Sequence, residues 1–309
     1  MSKKFTVPHS IRRTALFLAP LLLLFGIGEW TLRTMPNAYS TKAADIATHA
    51  PQVETLLLGA SHVLMGVRPD LLATKAYNLA HVSQTLDIDC DLLQTYLPTL
   101  PRLKTVVTCV DAAILFDPPL AEGEENFRCT YYNLYLPTPR YGRWPQFCLE
   151  TASYTSVKNK ICALFNSDTS PHIDTHGWYD GYTPNKQNAV ERTAPAAHDR
   201  VKKHCKYGRN YLNSNRNALH RLHALCRRHD LKLVLIATPT TSHYAEALPA
   251  WATKAVHETF SMFKNTDDVL LRDYSRDMRF SADNFFDTDH LNTKGATKFT
   301  RILREEIGL

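Results

Sequence analysis

The chain has 309 residues, of which 44% are hydrophobic and 21% charged, a composition typical of a folded protein and not of a disordered one. Its formal charge of +6 would favour nucleic-acid binding if the positive charge were spread over the fold. However, Lys3, Lys4, Arg12 and Arg13 precede the first acidic residue, so the rest of the chain is close to neutral. We therefore expect no nucleic-acid partner.

A basic tail, residues 1–14, precedes an apolar segment at residues 15–32. As a helix rising about 1.5 Å per residue, this segment would cover most of a hydrocarbon layer about 30 Å thick. The basic flank predicts a cytoplasmic N-terminus and a fold outside the cytoplasmic membrane, in the periplasm or outside the cell. A cleaved signal peptide is the alternative, but no well-placed Ala-x-Ala site follows. We expect a single-pass anchor with Trp30 at the interface.

Residues 33–51 are polar and predict a juxtamembrane linker, and residues 52–309 predict a folded domain. Apolar and β-branched runs predict five strands, at residues 53–58, 76–80, 103–110, 231–239 and 268–275. Five segments predict helices, at residues 63–72, where a turn is the alternative, and at 86–96, 209–229, 244–263 and 294–306. Because strands alternate with helices, we expect a three-layer α/β/α domain with about five parallel strands.

Residues from about 117 to 196 break this alternation and are rich in Pro, Tyr, Trp and Asn. They predict an insertion with its own short helices that partly covers a site. Its aromatic residues could stack on sugar rings or pack in the core, and they are Tyr131, Tyr132, Trp144, Trp178, Tyr179 and Tyr182.

The seven cysteines show no Cys-x-x-Cys motif and no zinc-ligand spacing, so we expect no metal site. Cys90 and Cys109 lie in predicted elements and are expected to be buried thiols. The others in irregular sequence are disulfide candidates in an oxidising compartment, and they are Cys129, Cys148, Cys162 and Cys205.

The first predicted strand ends at Gly59-Ala60-Ser61-His62. Parallel sheets bind ligands at the carboxyl ends of their strands. Ser61 could cap a helix, or it could be a nucleophile whose oxyanion is held by backbone N–H groups. His62 is expected to orient a substrate or to contact the active-site loop. A direct catalytic role is not expected, because the side chain that follows a nucleophile on a turn points in another direction.

Asp287 and His290 lie three residues apart, just before the last predicted helix. At this spacing the carboxylate can accept the Nδ1–H of the imidazole, which leaves Nε2 free to act as a base. The alternative is that Asp287 and Asp289 cap the helix and that His290 is an ordinary surface residue.

Together, these two fragments resemble the SGNH/GDSL hydrolase superfamily over residues 53–309. Gly59 and Ser61 match its first block, and Asp287 and His290 match its last. The resemblance implies a flavodoxin-like α/β/α domain and a catalytic triad of Ser61, His290 and Asp287. We expect no cofactor.

More narrowly, GASHVLMGVRPDLL, AYNLAHVSQTLDIDCDLL and FFDTDHLNTKGA resemble the membrane-anchored branch that includes DltD-like and alginate O-acetylation proteins. Members of this branch work outside the cytoplasmic membrane, often beside a multispanning O-acyltransferase. The resemblance implies an envelope glycan or an acyl donor as substrate and such an acyltransferase as a partner.

Three positions depart from the family pattern. Ala60 replaces the Asp before the nucleophile, and Ala80 is the best-placed counterpart of the Gly whose N–H joins the oxyanion hole. The Gly-x-Asn-Asp block is absent where the chain reads CVDAAILFDP. Either Asn78 or Gln84 supplies the missing side-chain donor, or the hole has fewer donors. Asp111 could bind a sugar hydroxyl or cap a helix.

These observations predict an extracytoplasmic serine esterase or O-acyltransferase that acts on acyl esters, acetyl above all, of a cell-envelope polysaccharide. Water as the acceptor gives hydrolysis and a sugar hydroxyl gives transfer. One alternative is a non-catalytic protein that keeps the fold to bind a polymer or a membrane O-acyltransferase. A lipase or thioesterase is a further, weaker alternative.

Overall fold

The computed structural model describes residues 8–136, 138, 140, 142, 144–165, 171–186 and 189–309. Five strands form one sheet, and they are β1 (Thr55–Leu57), β2 (Ala76–Asn78), β3 (Thr105–Cys109), β4 (Lys232–Ala237) and β5 (Val269–Asp273). All neighbours are parallel, in the order β2-β1-β3-β4-β5. This confirms the predicted α/β fold with five parallel strands. The order is that of a flavodoxin-like sheet, whose ligand crevice lies between β1 and β3.

The described part of the chain has twelve α-helices: α1 (His9–Thr34), α2 (Ala38–His49), α3 (Ser61–Gly66), α4 (Leu86–Tyr96), α5 (Ala112–Leu115), α6 (Arg128–Leu134), α7 (Tyr154–Phe165), α8 (Ala194–His204), α9 (Leu212–Arg228), α10 (Ser242–Ala247), α11 (Ala250–Ser261) and α12 (Thr293–Ile307). Short 3-10 helices lie at Ala50–Gln52, Pro69–Leu71, Leu97–Thr99, Leu120–Glu122, Pro145–Phe147, Glu150–Ala152, Pro184–Lys186, Ala189–Arg192 and Ala282–Asn284. Helices α4 and α9 pack together, as do α3 and α12.

Helix α1 contains the predicted anchor and projects its side chains outward. Its most apolar 18-residue window has a mean hydropathy of 1.8 and is only 6% buried. The helix is therefore long and apolar enough to cross a membrane. Arg12 and Arg13 lie in its first turns, whereas Lys3 and Lys4 lie outside the described residues.

Most of residues 33–51, predicted as a linker, form α2 and pack into the domain. Tyr39 and Ile46 are buried on one side of α2, and Asn37 and Ser40 form a capping box at its start. Lys42 lies on the same buried side, where its Nζ donates to the Ala80 carbonyl at 2.6 Å. The sequence did not predict this helix, because its composition is polar and its buried side includes a lysine.

The described parts of the 117–196 insertion contain α6, α7 and several 3-10 turns, in agreement with short helices of its own. Tyr131, Tyr132 and Trp178 are buried in the structure. Their role is packing, because aromatic side chains at these depths cannot stack on a sugar.

The cysteines differ in how deeply they are buried. Cys109 is a buried thiol as predicted, and Cys90 is partly buried with its Sγ donating to the Ala218 carbonyl. Cys148, Cys162 and Cys205 are thiols, and Cys129 is fully buried. The predicted disulfides among these four do not form in this structure.

Candidate active site

Ser61 is placed by the turn that ends β1. The Leu58 N–H still donates to the Val107 carbonyl at 2.8 Å, and the chain then leaves the sheet at Gly59, whose φ is +110°. A Cβ on Gly59 would lie 3.2 Å from both Cys109 Sγ and Thr108 Oγ1. Glycine therefore fits both the backbone conformation and the space. Ser61 follows as the first residue of α3, at the carboxyl edge of the sheet.

His290 is placed by a tight loop before α12. Asp287 Oδ1 accepts the N–H groups of Asp289 and His290 at 3.1 and 2.8 Å, so this carboxylate holds the loop backbone. Asn292, and neither aspartate, caps α12 by accepting the Gly295 N–H. The alternative in which Asp287 and Asp289 cap this helix is therefore wrong.

The structure brings Ser61, His290 and Asp287 into one hydrogen-bonded chain. Ser61 Oγ lies 2.8 Å from His290 Nε2, and His290 Nδ1 lies 2.8 Å from Asp287 Oδ2. The His290 residue is 3% exposed, whereas Ser61 is partly exposed. These contacts join residues from opposite ends of the sequence at the mouth of a cleft.

The charge state of Asp287 decides which tautomer His290 adopts. Burial acts to raise the pKa of Asp287, but the positive charge that His290 carries when protonated, its hydrogen bond and the charge of Arg200 together hold this pKa below its usual value. The ionised carboxylate favours a proton on Nδ1. Nε2 then carries the lone pair that can accept the Ser61 proton.

Arg200 and Asp289 complete the surroundings of the imidazole, and sequence reasoning missed both roles. Arg200 Nε donates to Asp289 Oδ1 at 2.9 Å, and its Nη2 lies 3.0 Å from His290 Nδ1. Two N–H groups cannot bond to each other, so this second contact is not a hydrogen bond when Nδ1 is protonated. Arg200 lies on α8, far from either motif, and no local pattern marks it.

His62 points away from the cleft and joins two carboxylates. Its Nδ1 lies 2.6 Å from Asp111 Oδ2, and its Nε2 lies 3.0 Å from Asp289 Oδ2. Burial alone would lower the pKa of His62, but Asp111 and Asp289 raise it to about 10. His62 is therefore an imidazolium that donates both protons. Of the two roles expected for His62, contact with the loop that carries His290 is the one observed, because both nitrogens are occupied inside the protein and one of them bonds to Asp289 of that loop.

Asp111 also faces inward. One oxygen accepts the Ile114 N–H at 3.1 Å and caps α5, while the other binds His62. Capping is therefore the observed use of this residue, and neither His62 nor Asp111 is among the described residues that line the cleft.

The predicted oxyanion donors are mostly engaged elsewhere. The Ala80 N–H donates to Asn78 Oδ1 at 2.9 Å, and Asn78 Nδ2 donates to the Val63 and Val67 carbonyls. This geometry removes Ala80 and Asn78 as donors. Gln84 does line the cleft, but its Nε2 donates to Asp89 Oδ1 at 2.6 Å and its Oε1 accepts from Tyr132.

Two backbone segments meet the cleft beside Ser61. The Ser61 N–H lies in the first turn of α3, where a helix offers no internal acceptor. On the opposite wall, Val82 and Ser83 line the cleft, and Ser83 has a positive φ of 56°, which is uncommon for serine. The sequence did not predict a turn at Ser83, because no glycine or asparagine occupies this position.

The cleft itself is small, with a volume of about 200 Å³, and its walls combine polar and apolar side chains. Its walls include Thr85, Asp117, Tyr182 and Lys203. The ring of Tyr182 lies edge-on to that of His290, with centroids 5.8 Å apart. Burial raises the pKa of Asp117 to about 7, although Lys203 opposes this shift. His243 lies on a separate cavity and not on this rim.

A metal ion could in principle be held by three neighbouring side chains, those of His62, Asp289 and His290. One ligand atom from each lies within 4.8 Å of the others. Asp289 Oδ2 already accepts from His62, and Asp289 Oδ1 accepts from Arg200. The Arg200 guanidinium contacts both Asp289 and His290, and such a positive charge is an unfavourable neighbour for a cation. Hydrogen bonds therefore account for this cluster.

The sequence matches no family model, and no curated protein matches it. A solved structure from Streptococcus pneumonia, described provisionally as a platelet activating factor, is similar to this chain. The two are 9% identical with a TM-score of 0.42, and the match covers 94% of this chain and 98% of that one. At this level of likeness the chemistry has to be argued from the site itself.

Proposed function

We propose that the protein is a serine esterase or O-acyltransferase of the SGNH type that works outside the cytoplasmic membrane on acyl esters of an envelope polysaccharide. The observation that carries this proposal is the continuous chain from Ser61 Oγ through His290 to Asp287, with 2.8 Å at both contacts. A serine hydroxyl needs such a base before it can attack an ester. The strand order and the position of Ser61 after β1 also support it.

The chemistry follows from the three side chains. Ser61 Oγ attacks the acyl carbonyl while His290 Nε2 takes its proton, and Asp287 stabilises the imidazolium. The Ser61 N–H supports the oxyanion. When the tetrahedral intermediate collapses, His290 gives the proton to the departing alkoxide and the acyl group stays on Ser61. Water or a sugar hydroxyl then attacks this acyl-enzyme, with His290 again as the base.

The cleft supports a short acyl group. Its volume of about 200 Å³ suits an acetyl ester better than a long hydrocarbon chain, and Thr85, Asp117 and Lys203 on its walls offer polar groups to a hydroxylated substrate. This argues against a lipase or a long-chain thioesterase. Helix α1 supports a site held at a membrane, where envelope polymers are modified.

The test is the hydrolysis of p-nitrophenyl acetate by the full chain in detergent. The chain offers a matched control, because Ser242-His243 repeats the Ser-His pair after β4 but lies on a different cavity. We expect Ser61→Ala to abolish turnover and Ser242→Ala to leave it unchanged. Equal activity in both variants would overturn the proposal.

A non-catalytic binding protein is the second candidate, and the occupied Ala80 N–H favours it, since this backbone donor is lost in addition to the side-chain donor of the absent Gly-x-Asn-Asp block. Losing one such donor costs roughly 10²–10³ in rate. This candidate predicts that folded wild-type protein shows no turnover above that of Ser61→Ala. Measurable wild-type turnover that depends on Ser61 excludes it.

A further inference from the structure

Helix α7 carries an apolar stripe that faces away from the fold. Tyr154, Ile161, Leu164 and Phe165 are 80%, 46%, 65% and 85% exposed. Their spacing places them on one side of a helix, while Ser156 and Lys160 are buried on the other side. A contiguous exposed stripe of this kind marks a surface that contacts an apolar partner.

Polar contacts tie this part of the chain to the end of α1. The Glu29 carboxylate accepts the N–H groups of Glu150 and Thr151 at 3.0 and 2.9 Å. Lys160 Nζ donates to the Leu32 carbonyl at 2.5 Å and to Glu150 at 2.7 Å. Because Lys160 belongs to α7, the helix is attached directly to the last turns of α1 and does not hang from a flexible linker.

These contacts fix the level of α7 relative to a membrane. Glu29 is 8% exposed and lies five residues before the end of α1 at Thr34, which is roughly 7.5 Å along a helix axis. A span leaves the hydrocarbon layer near its carboxyl end, and Trp30, at 68% exposure, is a residue type enriched at that boundary. The segment bonded to Glu29 and Leu32 therefore lies at the level of the lipid headgroups.

We propose that α7 is an interfacial helix, whose apolar stripe inserts into the boundary between headgroups and acyl chains of the same membrane that α1 crosses. An amphipathic helix at this level binds lipid through its apolar side, and the exposed Lys158 beside the stripe suits anionic headgroups. With α1 and α7 both engaged, the domain is held in one orientation above the bilayer. This inference does not depend on whether Ser61 is catalytic.

The test places a photoreactive residue on the stripe of the full chain. Tyr154 and Phe165 are each replaced by p-benzoylphenylalanine, which keeps an aromatic ring at an exposed position. Met278 is the matched control, since it is 95% exposed and lies outside the 148–160 segment that contacts α1. The variants are reconstituted into vesicles of phosphatidylethanolamine and phosphatidylglycerol, irradiated, and analysed for lipid adducts by mass spectrometry.

We expect lipid adducts at Tyr154 and Phe165 several-fold above those at Met278. Equal yields at the three positions would overturn the proposal, and so would a wild-type chain that does not float with the vesicles. Cross-links from the stripe to a second copy of the chain, in place of lipid, would also contradict it. Because all three positions are exposed, none of the replacements disturbs the core.

Discussion

At the scale of single residues, Asp287 and Asp289 are close in sequence and differ in position. Asp287 holds the loop backbone with one oxygen and contacts His290 Nδ1 with the other, whereas Asp289 is fully enclosed by His62 and Arg200. Only Asp287 is therefore placed to set the tautomer of His290. Asp289 affects the His290 imidazole indirectly, because it binds the positively charged His62 and Arg200 beside it.

Replacing Asp287→Asn should lower kcat by about 10⁴-fold, as for the equivalent change in a serine protease triad. The amide keeps an oxygen for the backbone N–H groups, but its NH2 would face Nδ1 and favour the tautomer whose Nε2 cannot accept a proton. Steady-state kinetics with p-nitrophenyl acetate measures this. A variant that folds like the wild type and keeps its kcat would show that Asp287 is not the orienting carboxylate.

His62 should make stability depend on pH. Its pKa is raised from 6.5 to about 10 in the folded protein, so its contribution is complete below pH 6.5 and is lost as the pH rises through about 10. Denaturant unfolding in detergent between pH 6 and 10 should show a free energy of unfolding that falls more steeply for the wild type than for His62→Gln. The exposed His229→Gln serves as control, and parallel curves for wild type and His62→Gln would contradict the account.

Sequence reasoning predicted which residues carry the proposed chemistry better than it predicted their surroundings. Ser61, Asp287 and His290 stand in short motifs whose residue types already suggest a nucleophile and an oriented base. Arg200 comes from a distant helix, and the Ala80 N–H is taken by a side chain two residues away. Such contacts depend on the tertiary path of the chain, which no local pattern encodes.

At the scale of elements, the turn after β1 fixes the position of Ser61, the proposed nucleophile. Gly59→Ala should destabilise the protein by about 1–3 kcal/mol, because alanine is strained at a φ of +110° and its Cβ meets Cys109 and Thr108 at 3.2 Å. The backbone shift should also reduce turnover.

Gly66→Ala, at the end of the same short helix, is the control, since its Cβ would make an ordinary contact of 3.7 Å with Leu291. We expect its free energy of unfolding to be no lower than that of the wild type and at most about 1 kcal/mol higher, since alanine restricts the unfolded chain more than glycine does. Equal effects of the two substitutions in denaturant unfolding would show that the turn conformation is not required.

The predicted elements were correct in kind and less accurate in extent. All five strands lie within their predicted ranges, but β1 is only Thr55–Leu57, since the chain leaves the sheet at Gly59. The helix predicted at residues 244–263 is broken into α10 and α11 at Pro249. Leu248 has a ψ of 126°, since the residue before a proline avoids the helical conformation.

At the scale of the whole molecule, hydrogen bonds attach the end of α1 and helix α2 to the domain, so the two helices do not form a flexible linker. The contacts of Glu29 and Lys160 join α1 to the insertion, and buried Lys42 joins α2 to the segment that follows β2. The sequence predicted an anchor followed by a linker. Tertiary hydrogen bonds made by single charged residues produce no hydrophobic periodicity, so the sequence pattern could not predict these attachments.

Glu29→Ala should loosen this attachment, because it leaves the N–H groups of Glu150 and Thr151 and the Arg33 guanidinium without their carboxylate. Hydrogen exchange in detergent should rise in residues 148–160 while the sheet stays protected. The exposed Glu305→Gln is the control. Unchanged exchange in residues 148–160 of the Glu29→Ala variant would contradict a rigid attachment.

The most direct test of the central claim is to label the full chain with a fluorophosphonate and to locate the adduct by mass spectrometry. We expect a single major adduct on Ser61, formed quickly in the wild type and in Ser242→Ala and greatly slowed in His290→Gln. Folded protein that forms no adduct on Ser61, or that reacts equally fast without the His290 imidazole, would contradict the proposed Ser61–His290–Asp287 triad.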